Sequence, residues 1–482
     1  MGRVCVWLPP FAGDYSGVCS ALFDLGGLIV IHDANGCTGN YTHFDEPRWY
    51  GSDSMVYCSG YRKLDAVLGN DEHIMKRIQT AAEEMHPGFI AIVGSPVPNV
   101  VGFDFNGVAK ALEKRTGLPV FGFPTMGIKG SYKDGVVMGV KALTDRFAAD
   151  EAGDAEKAKQ TEPAEHAEGF GENMEITEST EIIGSEETGK DVKNGCILNV
   201  LGATPLDIDQ QNFNRLCDML REHGFTLQVS EGNYGCLNQM KEPKRACLSL
   251  AFNQAGLELG QYIEEKYGVP YLAGFPIGRI NEERYFNTLE SCITEKRSGH
   301  FITRKMQEGG YADQIQPGFC ACSSSGPVPN AGPVMVNNVS GGSVKTEKRA
   351  CIIGDAVIGS AIADFLKTLG LSADVFTIFG KSRGMEDFCS GYLHHEEQIV
   401  SKLEEDIYDI YAADPVILDL IGQVVGREGV KKLPLPMHAV SSRVCSNQNW
   451  LYTDEAAWGE KLRQTEILSL TEILNRTEIL TE

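Results

Sequence analysis

Short runs of apolar residues alternate with amphipathic stretches through most of the chain. In the first 148 residues, for example, the run at 88–93 has the length of a buried strand, and 106–115 has the spacing of a helix. Such alternation is typical of a parallel sheet covered by helices. The pattern therefore predicts an N-terminal α/β domain over residues 1–148.

The same alternation predicts two further α/β domains, because a chain of 482 residues is too long for one hydrophobic core. The second covers 195–308, and the third covers 347–450. Within them we predict strands after Cys196 and at 271–275, 349–353 and 373–378, helices at 210–223, 357–369 and 395–411, an apolar run at 416–421 and an extended piece near Leu433. Pro434 and Pro436 confine that last piece to a sheet edge or a loop. The predicted fold class is α/β, with three Rossmann-like parallel-sheet domains.

Three segments outside these domains differ in composition. Residues 149–194 are acidic: between 150 and 192, 14 acidic and 3 Lys side chains account for 11 of the 23 excess negative charges of the chain. We interpret this stretch as a disordered or loosely ordered linker. Residues 309–346 are rich in Gly, Pro, Ser and Asn and are predicted to form a long loop. Residues 451–482 repeat Thr-Glu-Ile-Leu three times and are predicted to be a low-complexity tail or a frayed helix.

Charge and composition limit the classes of partner. A net charge of −23 opposes binding to nucleic acid or to an anionic membrane. The chain lacks the apolar run of roughly 18–20 residues that spans a bilayer and lacks a secretory leader pattern, so we expect a cytoplasmic protein. The segment 184–191 resembles a phosphate-binding loop, but Asp191 stands where Ser or Thr should hold magnesium, and Glu186 and Glu187 would repel phosphate. We therefore expect no ATP site in this chain.

One cysteine is distinguished by its position. The apolar strand predicted at 28–31 runs into His32, a turn at Gly36 and then Cys37. We expect the turn to need glycine, because the backbone must bend sharply without a Cβ clash. A thiol held rigidly at the end of a buried strand suits an iron–sulfur cluster. The alternative is a cysteine that packs as a small hydrophobic residue.

The other cysteines are less informative. The chain has 14 Cys and no export signal, which favours reduced thiols or metal ligands over disulfides. Cys196, Cys247 and Cys351 lie in or beside apolar runs, and we expect them to pack. Cys320 and Cys322 lie one residue apart in the predicted long loop. They are candidates for a metal site or a redox pair, with plain loop thiols as the alternative.

The segment 31–37 resembles the strand–His–x–x–x–Gly–Cys segment of nitrogenase component 1 proteins. That family includes the molybdenum–iron protein subunits, their cofactor-assembly scaffold homologues and the dark-operative protochlorophyllide reductases. Further segments are similar to the family in the same order, namely 65–70, 117–120, 125–131, 264–271, 348–355 and 433–438. The match spans most of residues 1–450, and the order and spacing of the segments make it specific.

The resemblance implies three domains of the nitrogenase component 1 type and a set of partners. In that family the subunits pair, and cysteines bind an iron–sulfur cluster at or near the shared face. An ATP-hydrolysing iron protein docks across the pair and delivers electrons to this cluster. We therefore expect an iron–sulfur cluster of the [4Fe-4S] type or larger, a paralogous partner subunit in a hetero- or homo-oligomer, and an iron protein as electron donor.

The resemblance also implies ligand positions. Cys37 matches the Gly-Cys ligand, whereas the first family ligand falls near Ala12 and the third near Ser95, where this chain has no cysteine. A carboxylate replaces a cysteine in one branch of the family, which makes Asp14 a candidate. Cys19 and Cys58 lie in the same region. Three arrangements remain open: a rearranged site with Cys19, Cys37 and Cys58, a site in which the partner supplies most ligands, or no cluster.

Some family members hold a second, larger cofactor between the three domains. Their cysteine ligand falls near Phe252 and Asn253 of this chain, and Cys247 is more than one helical turn away. His438 follows a Met and resembles the cofactor histidine of the family. The alternative for His438 is a strand-end histidine whose hydrogen bonds go to the backbone.

Two classes of function follow from the resemblance. In the first, the chain is a subunit of a nitrogenase-like iron–sulfur oxidoreductase that accepts electrons from the iron protein and reduces a small unsaturated or sulfur-containing substrate. In the second, it is a non-catalytic scaffold for metallocluster assembly. A metal-free structural partner subunit is a third alternative. Whether the chain is an enzyme stays open at this point, because a fold does not fix a function.

Overall fold

The computed structural model describes residues 6–52, 54–69, 71–158, 195–229, 233–302, 348–405, 407–426, 429–435 and 455–468. They form three sheets, each with only parallel pairings between its named strands and with helices packed against it. The prediction of three Rossmann-like parallel-sheet domains is confirmed. Several features of the sequence analysis lie outside the described residues: the predicted loop at 309–346 with Cys320 and Cys322, Pro436, His438 and most of the acidic segment.

The first sheet contains β1 (Gly27–Ile31), β2 (Val56–Cys58), β3 (Phe89–Val93) and β4 (Val120–Phe123), in the order β2-β1-β3-β4. Every residue of β1 and β3 is buried, as expected of central strands covered on both faces. The helices are α1 (Asp14–Leu22), α2 (Gly36–Asn40), α3 (Lys63–Leu68), α4 (Asp71–Met85), α5 (Pro96–Val100), α6 (Phe105–Thr116) and α7 (Tyr132–Ala158), with a π-helix at Tyr41–Asp45.

Helix α7 is the longest element in the described ranges, with 27 residues, and packs along α1. The two helices approach closely because glycines face the contact: a Cβ on Gly17 would collide with Tyr132 O, and one on Gly135 with Asp14 O. Helix α7 continues past residue 148, where the first domain is predicted to end, as far as Ala158. The first domain therefore extends a helix into the stretch interpreted as a linker.

The second sheet contains β5 (Ile197–Leu201), β6 (Thr226–Leu227), β7 (Leu248–Ala251), β8 (Tyr271–Ala273) and β9 (Gly299–His300), in the order β6-β5-β7-β8-β9. Its helices are α8 (Gln210–Glu222), α9 (Leu237–Lys241), α10 (Gln254–Tyr267) and α11 (Arg279–Glu295), with a 3-10 turn at Pro243–Arg245. Cys196 is buried as predicted, but the prediction for Cys247 is wrong, because its side chain is exposed just before β7.

The third sheet contains β10 (Arg349–Gly354), β11 (Ser372–Thr377), β12 (Gly391–Tyr392), β13 (Ile410–Ala413) and β14 (Lys431–Pro434), in the order β12-β11-β10-β13-β14. Its helices are α12 (Ala356–Thr368), α13 (Glu396–Glu404) and α14 (Pro415–Leu420), with a 3-10 turn at Met385–Asp387 and a π-helix at Ile421–Val425. Cys351 is buried in β10. Strand β14, which contains Pro434, lies at the sheet edge, one of the two places predicted for this residue.

The predicted helix at 395–411 is wrong in its second half. Helix α13 ends at Glu404, and Ile410–Ala413 form the buried strand β13 between β10 and β14. A run of four apolar residues has too few positions to separate strand from helix by periodicity. Pairing with two neighbouring strands decides the outcome.

Part of the C-terminal segment is ordered and differs from the predicted low-complexity extension. Helix α15 (Glu455–Gln464) buries Trp458, whose ring centroid lies 5.4 Å from that of Phe365. Ile467 and Leu468, in the first Thr-Glu-Ile-Leu repeat, are also buried. The repeat therefore begins as a packing element of the core, and residues 469–482 lie outside the described part.

The three domains meet at one buried lysine. Lys133, in the first turn of α7, forms an ion pair with Asp207 of the second domain, and its Nζ lies 3.2 Å from Asp355 Oδ2 of the third. These three residues are 3, 3 and 0% exposed. Asp355 also caps α12 by accepting from Val357 N and Ile358 N, at the turn between the predicted strand at 349–353 and the predicted helix at 357–369. One cation therefore neutralises carboxylates from two other domains.

No helix in the described ranges combines the length and the hydrophobicity that crossing a membrane requires.

Replacement of Lys133 by Met should strongly destabilise the protein. The change leaves Asp207 and Asp355 buried together without a cation, and removal of one partner from a buried ion pair typically costs about 3–5 kcal/mol. The measurement is the urea midpoint, together with limited proteolysis of the full chain. Lys141→Met is the matched control. Lys141 lies in the same helix as Lys133 and pairs with Glu258, but the side chains of this pair are both about one-third exposed. The control should change stability by less than about 1 kcal/mol. Equal effects of the two changes would contradict the role given to Lys133.

Candidate functional site

The candidate site lies at the carboxyl edge of the first sheet. Since β1–β4 are parallel, their carboxyl ends and the loops that follow them share one edge. The strand order reverses between β1 and β3, and such a switch point is where α/β sheets commonly bind ligands. There His32 N donates to Val93 O at 2.8 Å, and Ser95 Oγ donates to His32 O at 2.8 Å. These bonds fix the β1 loop that carries Cys37.

The turn before Cys37 differs from the one predicted. The left-handed residue is Asn35, with φ of 93°, and not Gly36. Asparagine tolerates this conformation better than most non-glycine residues. The Asp33 carboxylate stabilises the turn by accepting from Asn35 N at 2.9 Å and Thr38 N at 3.1 Å. Cys37 therefore sits in the first turn of the short helix α2, held by Asp33.

The Cys37 thiol is half-buried. Burial first, and the charge of Asp33 second, raise the pKa of this thiol to about 11, although a hydrogen bond with Tyr15 partly opposes the shift. The thiol therefore keeps its proton at neutral pH in the isolated chain. A metal that binds this sulfur has to displace that proton, because the thiolate is the ligand form.

Cys58 lies on the other side of Asp33. It ends β2, in register with Ile31 of β1. Its Sγ donates to Asp33 O at 3.2 Å and accepts from Gly60 N at 3.3 Å. Asp33 therefore connects the two half-buried thiols: its carboxylate holds the helix of Cys37 and its carbonyl contacts Cys58.

Cys19 is placed differently. It lies in α1, is 0% exposed and packs in the hydrophobic core between α1 and β1. Burial raises its pKa well above the usual range, and the charges of Glu46 and Asp45 add to this shift. A cluster that used Cys19 would need access into this core.

Asp14 is also engaged. It is 6% exposed, and its Oδ1 accepts from Tyr15 N at 2.9 Å, Met126 N at 3.1 Å and Gly127 N at 2.5 Å. Burial raises its pKa, and these three N–H groups oppose the shift. The carboxylate thus ties the start of α1 to the loop after β4, which leaves it few lone pairs for a metal.

Within the described ranges, no three His, Cys, Asp or Glu side chains converge in an arrangement that would hold a metal ion. Cys37 and Cys58 both adjoin Asp33, whereas Cys19 lies in the core and Asp14 is bound to backbone amides. The ligand set inferred from the sequence stays a prediction.

The sequence analysis did not identify a buried ionic group in the segment that follows the helix of Cys37. Asp45 ends the π-helix and accepts from Ser16 Oγ at 2.7 Å and Asn40 Nδ2 at 2.9 Å. The Glu46 carboxylate binds the Arg48 guanidinium through both oxygens, at 2.7 and 2.8 Å. So short a π-helix gives no periodic pattern in the sequence. The sequence does show charged residues directly after the helix that carries Cys37. The hydrogen bond between Asn40 and Asp45 connects the end of α2 to this buried group.

Apolar side chains are exposed around the site. We define the edge patch as seven side chains in segments that follow β2, β3 and β4, each 49–75% exposed: Leu64, Val67, Leu68, Val97, Val100, Val101 and Ile128. All three segments lie at the same edge of the sheet as Cys37. Exposed apolar surface of this kind marks interaction sites in soluble proteins.

The junction of the three domains is occupied by bonded side chains. Asn253, at the position where the family resemblance places a cofactor cysteine, caps α10 and is 0% exposed. Its Nδ2 donates to Gly202 O and Asp207 Oδ2, both at 2.8 Å, and its Oδ1 accepts from Gly256 N at 2.8 Å. Both the nitrogen and the oxygen of this amide are therefore engaged in structural hydrogen bonds.

Comparison with known proteins agrees with the family resemblance. The model of the family described as Nitrogenase component 1 type Oxidoreductase matches residues 15–316. The chain is 22% identical over 297 residues to the nitrogenase iron-molybdenum cofactor biosynthesis protein NifN of Rippkaea orientalis. This match covers 59% of this chain and 60% of that protein. The chain is also 22% identical over 320 residues to the nitrogenase molybdenum-iron protein alpha chain of Methanosarcina barkeri. That match covers 64% of this chain and 52% of the alpha chain. The matches thus span about half to three-fifths of these relatives.

The fold is similar to that of a solved structure described as Nitrogenase Cp1 at pH 6.5. The two share 15% sequence identity and a TM-score of 0.55, and the match covers 99% of this chain and 95% of the other. At this identity the similarity concerns the fold alone.

Alkylation of the native protein should separate the thiols by exposure and pKa. Of these three thiols at pH 8, Cys247 should react fastest, Cys37 at least about tenfold more slowly, and Cys19 only after unfolding, because the thiolate is the nucleophile. Since the pKa of Cys37 is raised to about 11, its rate should climb as the pH rises towards 11. Iodoacetamide labelling with peptide mass spectrometry measures this order. Rapid labelling of Cys19 would contradict its placement.

Replacement of Asp14 by Ala should destabilise the chain, because three N–H groups lose their acceptor. The expected loss in the free energy of unfolding is about 1–3 kcal/mol. Asp134→Ala is the control, since its exposed carboxylate accepts only from Ser131 among the described residues, and it should cost less than about 1 kcal/mol. Thermal unfolding compares the two. A loss no larger than that of the control would refute the structural role of Asp14.

Proposed function

We propose, because this chain belongs to the nitrogenase component 1 type oxidoreductases, that it is one subunit of a nitrogenase-like pair that shares an iron–sulfur cluster at the carboxyl edge of its first sheet. Cys37 would be the ligand from this chain that is best positioned. The other ligands would come from Cys58 and from a paralogous partner subunit.

The observation that carries this proposal is the combination of a half-buried thiol with an exposed apolar rim. Cys37 follows a strand that ends at the same edge of the sheet as the edge patch, and the described residues offer no third ligand there. A cluster of the [4Fe-4S] type needs about four protein ligands. A second chain seated on the edge patch would supply the missing ones and would bury the apolar side chains. Both features are accounted for by one interface.

Each residue of the site then has a role. Asp33 orients α2 and so aims the Cys37 sulfur. Cys58 already accepts Gly60 N–H, and a hydrogen bond to a ligand sulfur is one of the ways in which a protein tunes a cluster potential. Cys19 and Asp14 hold α1 and the loop after β4 in place. The bound cluster would supply one-electron transfer, and the protein would position and tune it.

The electron donor would be an ATP-hydrolysing iron protein, as the family resemblance implies. The net charge of −23 would favour a basic docking face on that donor. The acceptor would be a small unsaturated or sulfur-containing substrate. The chain itself would not bind ATP.

A second candidate function is a non-catalytic scaffold for metallocluster assembly. Two observations favour it. The relatives include NifN, which is named for iron-molybdenum cofactor biosynthesis, and Asn253 is a bonded amide where a catalytic subunit would have a cofactor cysteine. A scaffold would pass its cluster intact to another apoprotein, whereas an oxidoreductase would keep it through turnover.

The test begins with anaerobic purification of the chain co-expressed with its paralogous partner. Iron and acid-labile sulfide per pair are measured, with visible and EPR spectra before and after dithionite. A few irons per pair with a reducible signal would support the shared cluster. Loss of the signal to an added apoprotein would favour the scaffold, and oxidation coupled to an iron protein with ATP would favour the oxidoreductase. A colourless, iron-free but stable pair would refute both and leave a structural subunit.

Replacement of Cys37 by Ala should remove most of the iron from the purified pair. The expected cost to folding is only about 1 kcal/mol, because the side chain is small and half-buried. Iron content and thermal stability are measured on the same preparation. Cys217→Ala is the matched control: its thiol is buried in α8 of the second domain, so the change should lower stability and leave iron unchanged. Equal iron in the two variants would rule out Cys37 as a ligand.

A further inference from the structure

Strand β4 closes one side of the first sheet, and no strand in the described ranges pairs with its outer side. On its inner side it pairs with β3, where Gly94 N donates to Phe123 O at 2.8 Å. Alternate residues of a strand in a parallel ladder bond to the same neighbour. Val120 and Gly122 therefore turn their N–H and C=O groups away from β3.

An open groove runs along this outer side, between α6 and α7. We call it the β4 groove, and its volume is about 690 Å³. Besides Val120–Phe123, its lining includes Ala109, Lys110, Glu113, Lys114, Ala142 and Arg146. Glu113 accepts from Val120 N at 3.3 Å, which leaves Val120 O and the N–H and C=O of Gly122 facing the groove. A strand edge with such groups is a template for pairing with another strand.

The two helices beside the groove cover opposite faces of the sheet. Val120 packs in one core cluster with Ala109 of α6. Phe121 packs in another cluster with Phe147 of α7, and their ring centroids lie 6.1 Å apart. A strand added to β4 would therefore direct alternate side chains towards α6 and towards α7.

The α6 side of the groove is basic. Lys110 and Lys114 are exposed and form no ion pair within the described ranges, whereas Arg146 pairs with Glu113 at 3.0 Å. Three cations and one carboxylate give the groove an excess of two positive charges, although the whole chain carries −23. Charge complementarity therefore favours an acidic ligand.

The spacing of the two lysines matches an extended ligand. Residues four apart in a helix lie on one face, about 6 Å apart along the axis. Side chains at every second position of a strand recur at about 6.6 Å. Carboxylates at alternate positions of an added strand would thus reach both Lys110 and Lys114. The positions between them would face the apolar α7 side, at Phe121 and Ala142.

Other ligand classes fit the β4 groove less well. A helical ligand would leave the outward groups of Val120 and Gly122 unpaired, because its own backbone groups bond within the helix. Nucleic acid would meet only two excess positive charges on a strongly acidic chain, and its affinity depends on many phosphate contacts. An extended acidic polypeptide uses both the backbone groups and the lysines.

We propose that the β4 groove binds an extended acidic segment of another protein chain as an added strand of the first sheet. The segment would donate to Val120 O and accept from Gly122 N, with its carboxylates against Lys110 and Lys114. Main-chain bonds supply affinity and alternate side chains supply specificity in this mode of recognition. The inference does not depend on the cluster, so its failure would leave the proposed function untouched.

The test is a fluorescence-anisotropy titration of the full chain, at constant ionic strength, with a blocked, labelled peptide of about six residues in which Glu and Val alternate. Saturable binding is expected below about 1 mM. The same peptide with every peptide nitrogen methylated keeps the charges but cannot donate, and it should bind at least about tenfold more weakly. The absence of saturable binding, or equal binding of the methylated peptide, would overturn the proposal.

Variants locate the binding. Lys110→Gln combined with Lys114→Gln should weaken the peptide by about tenfold, because both pairing cations are lost. The matched control is Lys63→Gln combined with Lys432→Gln, which removes the same charge from two exposed lysines in α3 and β14. Equal affinities of the two double variants would show non-specific charge attraction and would overturn the assignment to the groove.

Two further titrations test the choice of occupant. The acidic stretch of this chain at 150–192 is one competitor. A full-length variant with the acidic residues of 159–192 changed to amides should bind the peptide as the parent chain does, and binding by this variant alone would assign the groove to that stretch. A labelled oligothymidylate is the other probe. Its tighter binding would overturn the proposal in favour of nucleic acid.

Discussion

The ion cluster of Lys133, Asp207 and Asp355 is the constraint on which the rest of the structure depends. It places one positive charge against two negative charges in a region with almost no solvent exposure. Burial raises the pKa of Asp207, and the charge of Lys133 opposes that shift. Because an unpaired charge is costly in such surroundings, the three domains are stable only in the arrangement that brings the lysine to both carboxylates.

This junction also positions the candidate site. Lys133 lies in the first turn of α7, and the loop that leads into α7 is bound by Asp14 at the start of α1. The glycines between α1 and α7 let these helices touch along their backbones. The carboxyl edge of the first sheet is thus tied to the domain junction through two helices. A site built on rigid elements of this kind holds a ligand thiol in a defined direction.

Two properties of the edge have different physical origins. Cys37 is held by backbone geometry and by the Asp33 carboxylate, while its raised pKa comes chiefly from burial. The edge patch is unburied apolar surface, whose removal from water would contribute to association at about 25 cal/mol per Å². The proposed shared cluster rests on both properties, the first for a ligand and the second for an interface.

The sequence by itself determined the alternation of strands and helices, the three parallel sheets, the restriction of Pro434 to a sheet edge or a loop, and the location of Cys37 after a buried strand. These follow from periodicity and proline chemistry, which act over a few residues. Only the tertiary structure decided that 410–413 form a strand, that Asn35 makes the turn, that Cys19 lies in the core and that Asp14 binds amides. It also decided that residues 133, 207 and 355 meet. Each of these outcomes depends on partners far away in the chain, and burial and pairing over such distances leave no local pattern.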